Sequence, residues 1–140
     1  MRLIRTVQHD LSGVAAVEFA LVAPILIGLI FGIWNTGVVL YADNSIRDAV
    51  EAGARQATVF PRPSEAQLRQ RINDRYFGPQ NQGAVAGPTF AYGTRNGAPI
   101  VTISMSYTHQ VNVPFLPARN VTLAHQRTVY MAPAGTVRNP

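Results

Sequence analysis

Two residue types are missing from the chain altogether. Without cysteine there is neither a disulfide framework nor a thiolate metal site, and the chain can live in an oxidising compartment without depending on it. Without lysine, the net charge of +5 rests on arginine, and the arginines are dispersed rather than run together. Carboxylates are scarce: apart from one inside the apolar segment described next, they are Asp10, Asp43, Asp48, Glu51, Glu65 and Asp74. None stands at a recognisable catalytic spacing from a histidine or serine, and no phosphate loop, nucleophile elbow or zinc-protease helix occurs. These shortages argue against an enzyme and against a bound cofactor. The densest basic group, Arg69, Arg71 and Arg75, reads as a solvated surface suited to lipid phosphates or an acidic partner. With no reading module or aromatic platform beside it, no nucleic-acid partner is expected.

The longest absence is of charge itself. From Phe19 to Ala42 no side chain is charged, and these roughly 24 residues extend about 36 Å as a helix, enough to cross a bilayer core of about 30 Å. Residues 14–42 are therefore expected to form a membrane-spanning helix. Glu18 lies just inside it, where an unpaired charge carried to mid-membrane would cost roughly 2.5 to 3.5 kcal/mol. Arg2 and Arg5 precede the run, whereas Asp43, Arg47, Asp48, Glu51 and Arg55 follow it. The slight basic excess on the N-terminal side predicts a cytoplasmic N-terminus and a C-terminal domain on the far side of the membrane. A cleaved secretory signal does not fit: the run is too long, and Ala52-Gly53-Ala54 lies well past its end among charges. Within the run, Ala20, Pro24, Gly28, Gly32 and Thr36 recur every four residues. Gly28 and Gly32 form a small-xxx-small pattern that lets another helix approach closely, and Pro24, which cannot donate to the carbonyl of Ala20, predicts a kink or local loosening.

Beyond Ala42 the helix is expected to continue, because Ile46, Ala49, Val50, Gly53, Ala54 and Ala57 share a face while Asp43 with Arg47 and Glu51 with Arg55 make i,i+4 pairs. Phe60-Pro61-Arg62-Pro63 ends it. Ser64-Glu65-Ala66-Gln67 is a capping box opening a short helix over 64–77, with Leu68, Ile72 and Tyr76 on its buried face. The segment from Gly78 to Pro88, rich in Gly, Pro, Asn and Gln, reads as a loop. An antiparallel sheet of three or four strands follows over about 89–131. Asn96-Gly97 makes a tight hairpin between a strand at Thr89–Thr94 and one starting at Ile100. Val101, Ile103, Met105, Tyr107, Val111 and Val113 alternate with Thr102, Ser104, Ser106, Thr108, Gln110 and Asn112, so one face is buried and one is wet. A second hairpin pivoting near Pro117 pairs Val113 with Val121, Val111 with Leu123 and Met105 with Val129. That register sets His109 opposite His125, which reads as a cross-strand polar pair, since two ligands without a third make a poor metal site. Ala132 to Pro140 reads as a frayed tail. The expectation is an α+β fold: a long N-terminal helix packed on a small antiparallel sheet, with residues 43–140 as the domain beyond the membrane.

The start of the chain carries a resemblance. A short basic leader ending in Gly13, a small apolar residue at Val14, Glu18 at the fifth position after that glycine and then an apolar helix resemble the processing signal of type IV prepilins. The longer stretch Gly13-Val14-Ala15-Ala16-Val17-Glu18-Phe19-Ala20-Leu21-Val22-Ala23-Pro24, with Leu40-Tyr41-Ala42 and Glu51-Ala52-Gly53-Ala54-Arg55, resembles the TadE-like minor pseudopilins of tight-adherence (Tad, Flp) pilus systems. The resemblance implies a pilin-like fold and a cytoplasmic leader, residues 1–13, that a prepilin peptidase removes between Gly13 and Val14. It gives Glu18 a role in subunit alignment, and it implies as partners other pilus or pseudopilus subunits and an inner-membrane assembly platform, besides membrane lipid. The expected location is the inner membrane, single-pass, with the domain in the periplasm, and the expected role is structural, in pilus assembly, adhesion or secretion. The alternative is an uncleaved bitopic signal-anchor protein whose periplasmic domain is a binding module.

Overall fold

A computed structural model describes residues 11–79 and 83–132. The expected tail beyond Ala132 and the leader up to Asp10 lie outside the described residues. Helix α1 runs Leu11–Ala57, α2 Glu65–Arg75, and three strands follow: β1 Gly83–Arg95, β2 Ala98–Val111 and β3 Arg119–Tyr130. The strands form one antiparallel sheet in the order β1-β2-β3. This is the α+β arrangement expected, a long apolar N-terminal helix packed on a three-stranded sheet.

The 47 residues of α1 span about 70 Å at 1.5 Å per residue. Its assignment continues through Pro24. Only its second half is packed: Ala42, Ile46, Ala49, Val50, Ala54 and Ala57 are buried against the rest of the chain, together with Leu68 and Ile72 of α2 and Val101, Ile103, Met105 and Tyr107 of β2. The small residues let the sheet and α2 come close. A Cβ on Gly53 would sit 2.5 Å from Cγ1 of Ile72 and 3.3 Å from Cδ1 of Ile103, so the glycine is where α1, α2 and β2 converge.

Local rules place α2. The Ser64 hydroxyl accepts from the Gln67 backbone N–H, and the Gln67 side chain accepts from the Ser64 N–H at 2.9 Å, completing the capping box. Leu68 and Ile72 are buried as the spacing required. Arg69 is held by Glu65 at 3.1 Å, by the Pro88 carbonyl at 3.0 Å and over the Phe90 ring at 5.3 Å. It is tied to its own fold, unlike a free basic surface.

The alternation in β2 is kept: residues 101, 103, 105, 107 and 109 are buried, and residues 102, 104, 106 and 108 between them are half-exposed. Across the wet face, Thr102 pairs with Thr128 at 2.7 Å and Thr108 with Thr122 at 3.1 Å. Asn96 and Gly97 take φ of 55° and 76°, the tight-hairpin geometry expected. Two expectations are corrected. Residues 83–88 are strand, not loop, because Gly83 to Ala86 pair with His109 to Ser106; the ladder shifts between Ala86 and Thr89, where Gly87 adopts a φ of 104°. The second hairpin has a different register: Val111 faces Arg119, Tyr107 faces Leu123, Met105 faces His125 and Val101 faces Val129. Pairing stops at Val111, and a wider loop absorbs Asn112 to Ala118. The slip is by an even number of residues, so the buried and wet faces stay as assigned.

That loop is built on a turn in which the Leu116 N–H donates to the Val113 carbonyl at 3.1 Å. Pro114 stands at the second position, which its ring favours, and Phe115 at the third with a φ of 70°. Glycine or asparagine normally occupies that third position, and a bulky residue there costs on the order of 1 to 3 kcal/mol.

Candidate functional site

The exposed half of α1 is the first candidate for function. Val14, Val17, Phe19, Leu21, Ile25, Leu29 and Ile33 are all exposed, and α1 carries the one candidate membrane span among the described residues. Glu18 is the sole charge between Asp10 and Asp43. It is exposed, and no described residue is its ion-pair or hydrogen-bond partner. Gly13 and Val14 lie in the first turns of α1, also exposed. A Cβ on Gly13, Gly28 or Gly32 would meet nothing within 4 Å. Within this chain, therefore, the glycines of the small-xxx-small pattern make no close approach, and the space before them is free for another molecule.

The domain takes hold of the helix at Asn35, before the Ala42 boundary that hydropathy alone suggests. Asn35 is 8% exposed. Its amide nitrogen donates to the carbonyls of Phe31 at 2.8 Å and Asn112 at 3.2 Å. Both acceptors are carbonyls, so the amide oxygen must face the other way, where the Nε2–H of His109 donates to it at 3.0 Å. One side chain thereby joins the helix, the end of β2 and the loop after it. Sequence reasoning passed over Asn35 as one polar residue in an apolar run. The signal was its phase, since Asn35, Ala42, Ile46 and Ala49 recur at i, i+7, i+11 and i+14, the face that meets the sheet.

Further along, His125 Nε2 lies 2.7 Å from Asp43 Oδ1, and Arg127 Nε lies 3.6 Å from Glu51 Oε2. The two histidines are thus separated by the register: His109 stands opposite Val121 and binds Asn35, while His125 stands opposite Met105 and binds Asp43. The expected cross-strand pair does not form. On the α2 side, the Tyr41 hydroxyl donates to the Phe77 carbonyl at 2.6 Å, with the two rings edge to face at 5.5 Å, and the buried Ser45 hydroxyl accepts from the Phe77 N–H at 3.0 Å. Burial pushes the phenols of Tyr107 and Tyr76 above the ordinary range.

One half of the helix is thus committed to its own domain, and the other half is exposed to its surroundings. Residues 13–55, which hold the free half of α1, Asn35 and the helix's side of the seam with the sheet, are similar to the family model described as TadE-like protein, a likeness consistent with a component of the Tad pilus system. No curated protein matches the chain significantly, and no solved structure does.

Proposed function

We propose that the chain is a minor pseudopilin-like structural component of a Tad/Flp-type pilus assembly or secretion machine, anchored in the inner membrane by the first half of α1, with its sheet domain in the periplasm. The supporting observation is the division of α1: residues 14–34 are apolar, with their large side chains exposed, and hold one carboxylate, while the packed half begins at Asn35. Residues 14–34 extend roughly 31 Å at 1.5 Å per residue, the thickness of a bilayer core. On this reading the span ends at Trp34, an aromatic of the kind that favours the membrane–water interface, and Glu18 lies one turn inside the opposite edge.

A prepilin peptidase cuts between Gly13 and Val14, giving Val14 a free α-amino group that is largely cationic at neutral pH. Glu18 then aligns subunits by pairing with such an amine on a neighbour, and Gly28 and Gly32 form a surface for close helix packing. Partners are other pilus or pseudopilus subunits and the inner-membrane platform.

The test is the intact mass of the chain extracted from membranes of a strain with active prepilin peptidase. The expected species begins at Val14, and Gly13→Leu retains the leader because the added side chain fills the cleavage pocket. An intact leader on functional protein overturns the pseudopilin reading and leaves the bitopic anchor.

A further inference from the structure

The loop between β2 and β3 carries the most exposed large apolar residues of the sheet domain, Phe115 at 79% and Leu116 at 65%. Its height along α1 follows from three contacts. Arg127 meets Glu51, His125 meets Asp43, and His109 meets Asn35. In the ladder these residues sit level with Ile103, Met105 and His109 of β2, so β2 descends α1 toward its N-terminus as its residue number rises. Asn112, the residue after β2, is fastened to Asn35 through its carbonyl. The chain leaving Asn112 therefore enters the loop at the level of Trp34, where the free apolar half of α1 begins. The Asn96-Gly97 hairpin is at the opposite end of the sheet.

A second observation is independent of height. Phe115 holds a left-handed φ that disfavours a phenylalanine, yet its ring gains little from its own domain. Pro114 and Pro117 flank the pair and stiffen it in this outward pose. Charge agrees as well: Arg119 is exposed at the foot of the loop, and no carboxylate side chain follows Asp74 anywhere in the sequence. Two apolar side chains with an arginine behind them match the order of acyl chain and phosphate met on entering a bilayer.

We infer that Phe115 and Leu116 are a second membrane contact, inserted at the boundary of headgroups and acyl chains in the leaflet on the domain's side, with Arg119 on the lipid phosphates. The inference rests on the reading of residues 14–34 as a membrane span. It gives the domain two points of attachment to the bilayer, which fixes its tilt where a single helix would leave it free to lean.

The chain has no cysteine, so single-cysteine variants can be labelled cleanly. The full chain is placed one copy per nanodisc of phosphatidylcholine with phosphatidylglycerol, carrying an environment-sensitive fluorophore at Ile25→Cys, Asn96→Cys, Phe115→Cys or Leu116→Cys. Nitroxide on the upper acyl chain is the lipid quencher, and iodide the aqueous one. Labels at 115 and 116 are expected to be quenched severalfold more by the lipid nitroxide than the label at 96, and severalfold less by iodide. Labels at 115 and 116 that behave like the one at 96, with 25 shielded from iodide, overturn the inference while the span stands. A label at 25 open to iodide overturns the span, and the inference with it.

Discussion

His109 and Asn35 are 74 positions apart in the chain and 3.0 Å apart in the fold, and their hydrogen bond ties the central strand to the helix where the free half of that helix begins. The amide of Asn35 uses both of its ends: two carbonyls accept from its nitrogen, and one imidazole N–H donates to its oxygen. Asn35→Leu removes all three bonds from a buried place. Losing a buried partner costs about 1 to 3 kcal/mol, while leucine makes the adjoining run more apolar. The expected outcome is normal membrane insertion with a lower thermal midpoint and faster amide exchange in residues 109–119, read by mass spectrometry on detergent-solubilised protein. Exchange at the parent rate would show that the node does not hold the sheet.

Gly53 makes the converse prediction, because there the fold has no room to add anything. In a helix interior alanine is favoured over glycine by up to about 1 kcal/mol. The new Cβ, however, would lie 2.5 and 2.6 Å from Cγ1 and Cδ1 of Ile72, itself wholly buried. Overpacking of this kind costs about 1 to 3 kcal/mol, so Gly53→Ala is expected to lower the melting temperature and Gly53→Leu to lower it further. A stabilised Gly53→Ala would mean that Ile72 moves aside freely.

In β2 the test is one of phase. Met105 is buried and Ser104 half-exposed on the other face. Met105→Asp buries an unpaired carboxylate at a cost of several kcal/mol, a large share of a small domain's stability, while Ser104→Asp is expected to be mild. Thermal melts of the two variants in the full chain give the order directly, and the reverse ranking would place the strand one residue out of phase.

The phenol of Tyr107 is buried, and its oxygen has no hydrogen-bond partner among the described residues. Burial raises its pKa, as it does that of Tyr76. Each folded-state value lies above the unfolded one, so the folded chain holds these protons longer. Stability is unaffected below the unfolded value near 10 and falls as pH climbs from there through the raised folded values. Tyr107→Phe is expected to cost little at neutral pH and to flatten this alkaline fall, measured by denaturant titration at several pH values. An unchanged alkaline limb would assign the fall to other groups.

Glu18 belongs to the proposed assembly role. Glu18→Ala is expected to leave insertion intact, since it makes the span more apolar, and to reduce pilus number in a strain lacking the native copy. Glu18→Gln should share most of the defect, because it keeps shape and loses charge. Normal piliation by both variants at parental protein level would end the alignment role.

What could be read from the sequence was what local rules decide. The capping box at Ser64 and Gln67, the Asn96-Gly97 turn, the alternation from Val101 to Tyr107 and the shared face of Ile46, Ala49 and Val50 each depend on neighbours within a few positions. What could not be read depends on distant partners. The strand at Gly83–Ala86 exists because β2 is long enough to pair with it, and its composition alone reads as loop. The β2–β3 register was set by where a seven-residue connection, Asn112 to Ala118, leaves the ladder, which no pattern in Val121 to Met131 announces. Asn35 takes its role from Asn112 and His109, partners 77 and 74 positions away in the chain.

The phase of α1 has one more consequence. Gly28, Gly32 and Asn35 fall at i, i+4 and i+7, the same side of the helix that carries the sheet above them. A neighbouring helix that closes on those glycines comes to rest underneath an overhang. A helix of similar length that ran parallel and level with α1 against those glycines would drive its upper half into the sheet. Either an offset along the helix axis or a crossing angle that splays the two helices apart above the contact relieves the collision, so the overhang restricts how anything can use that side.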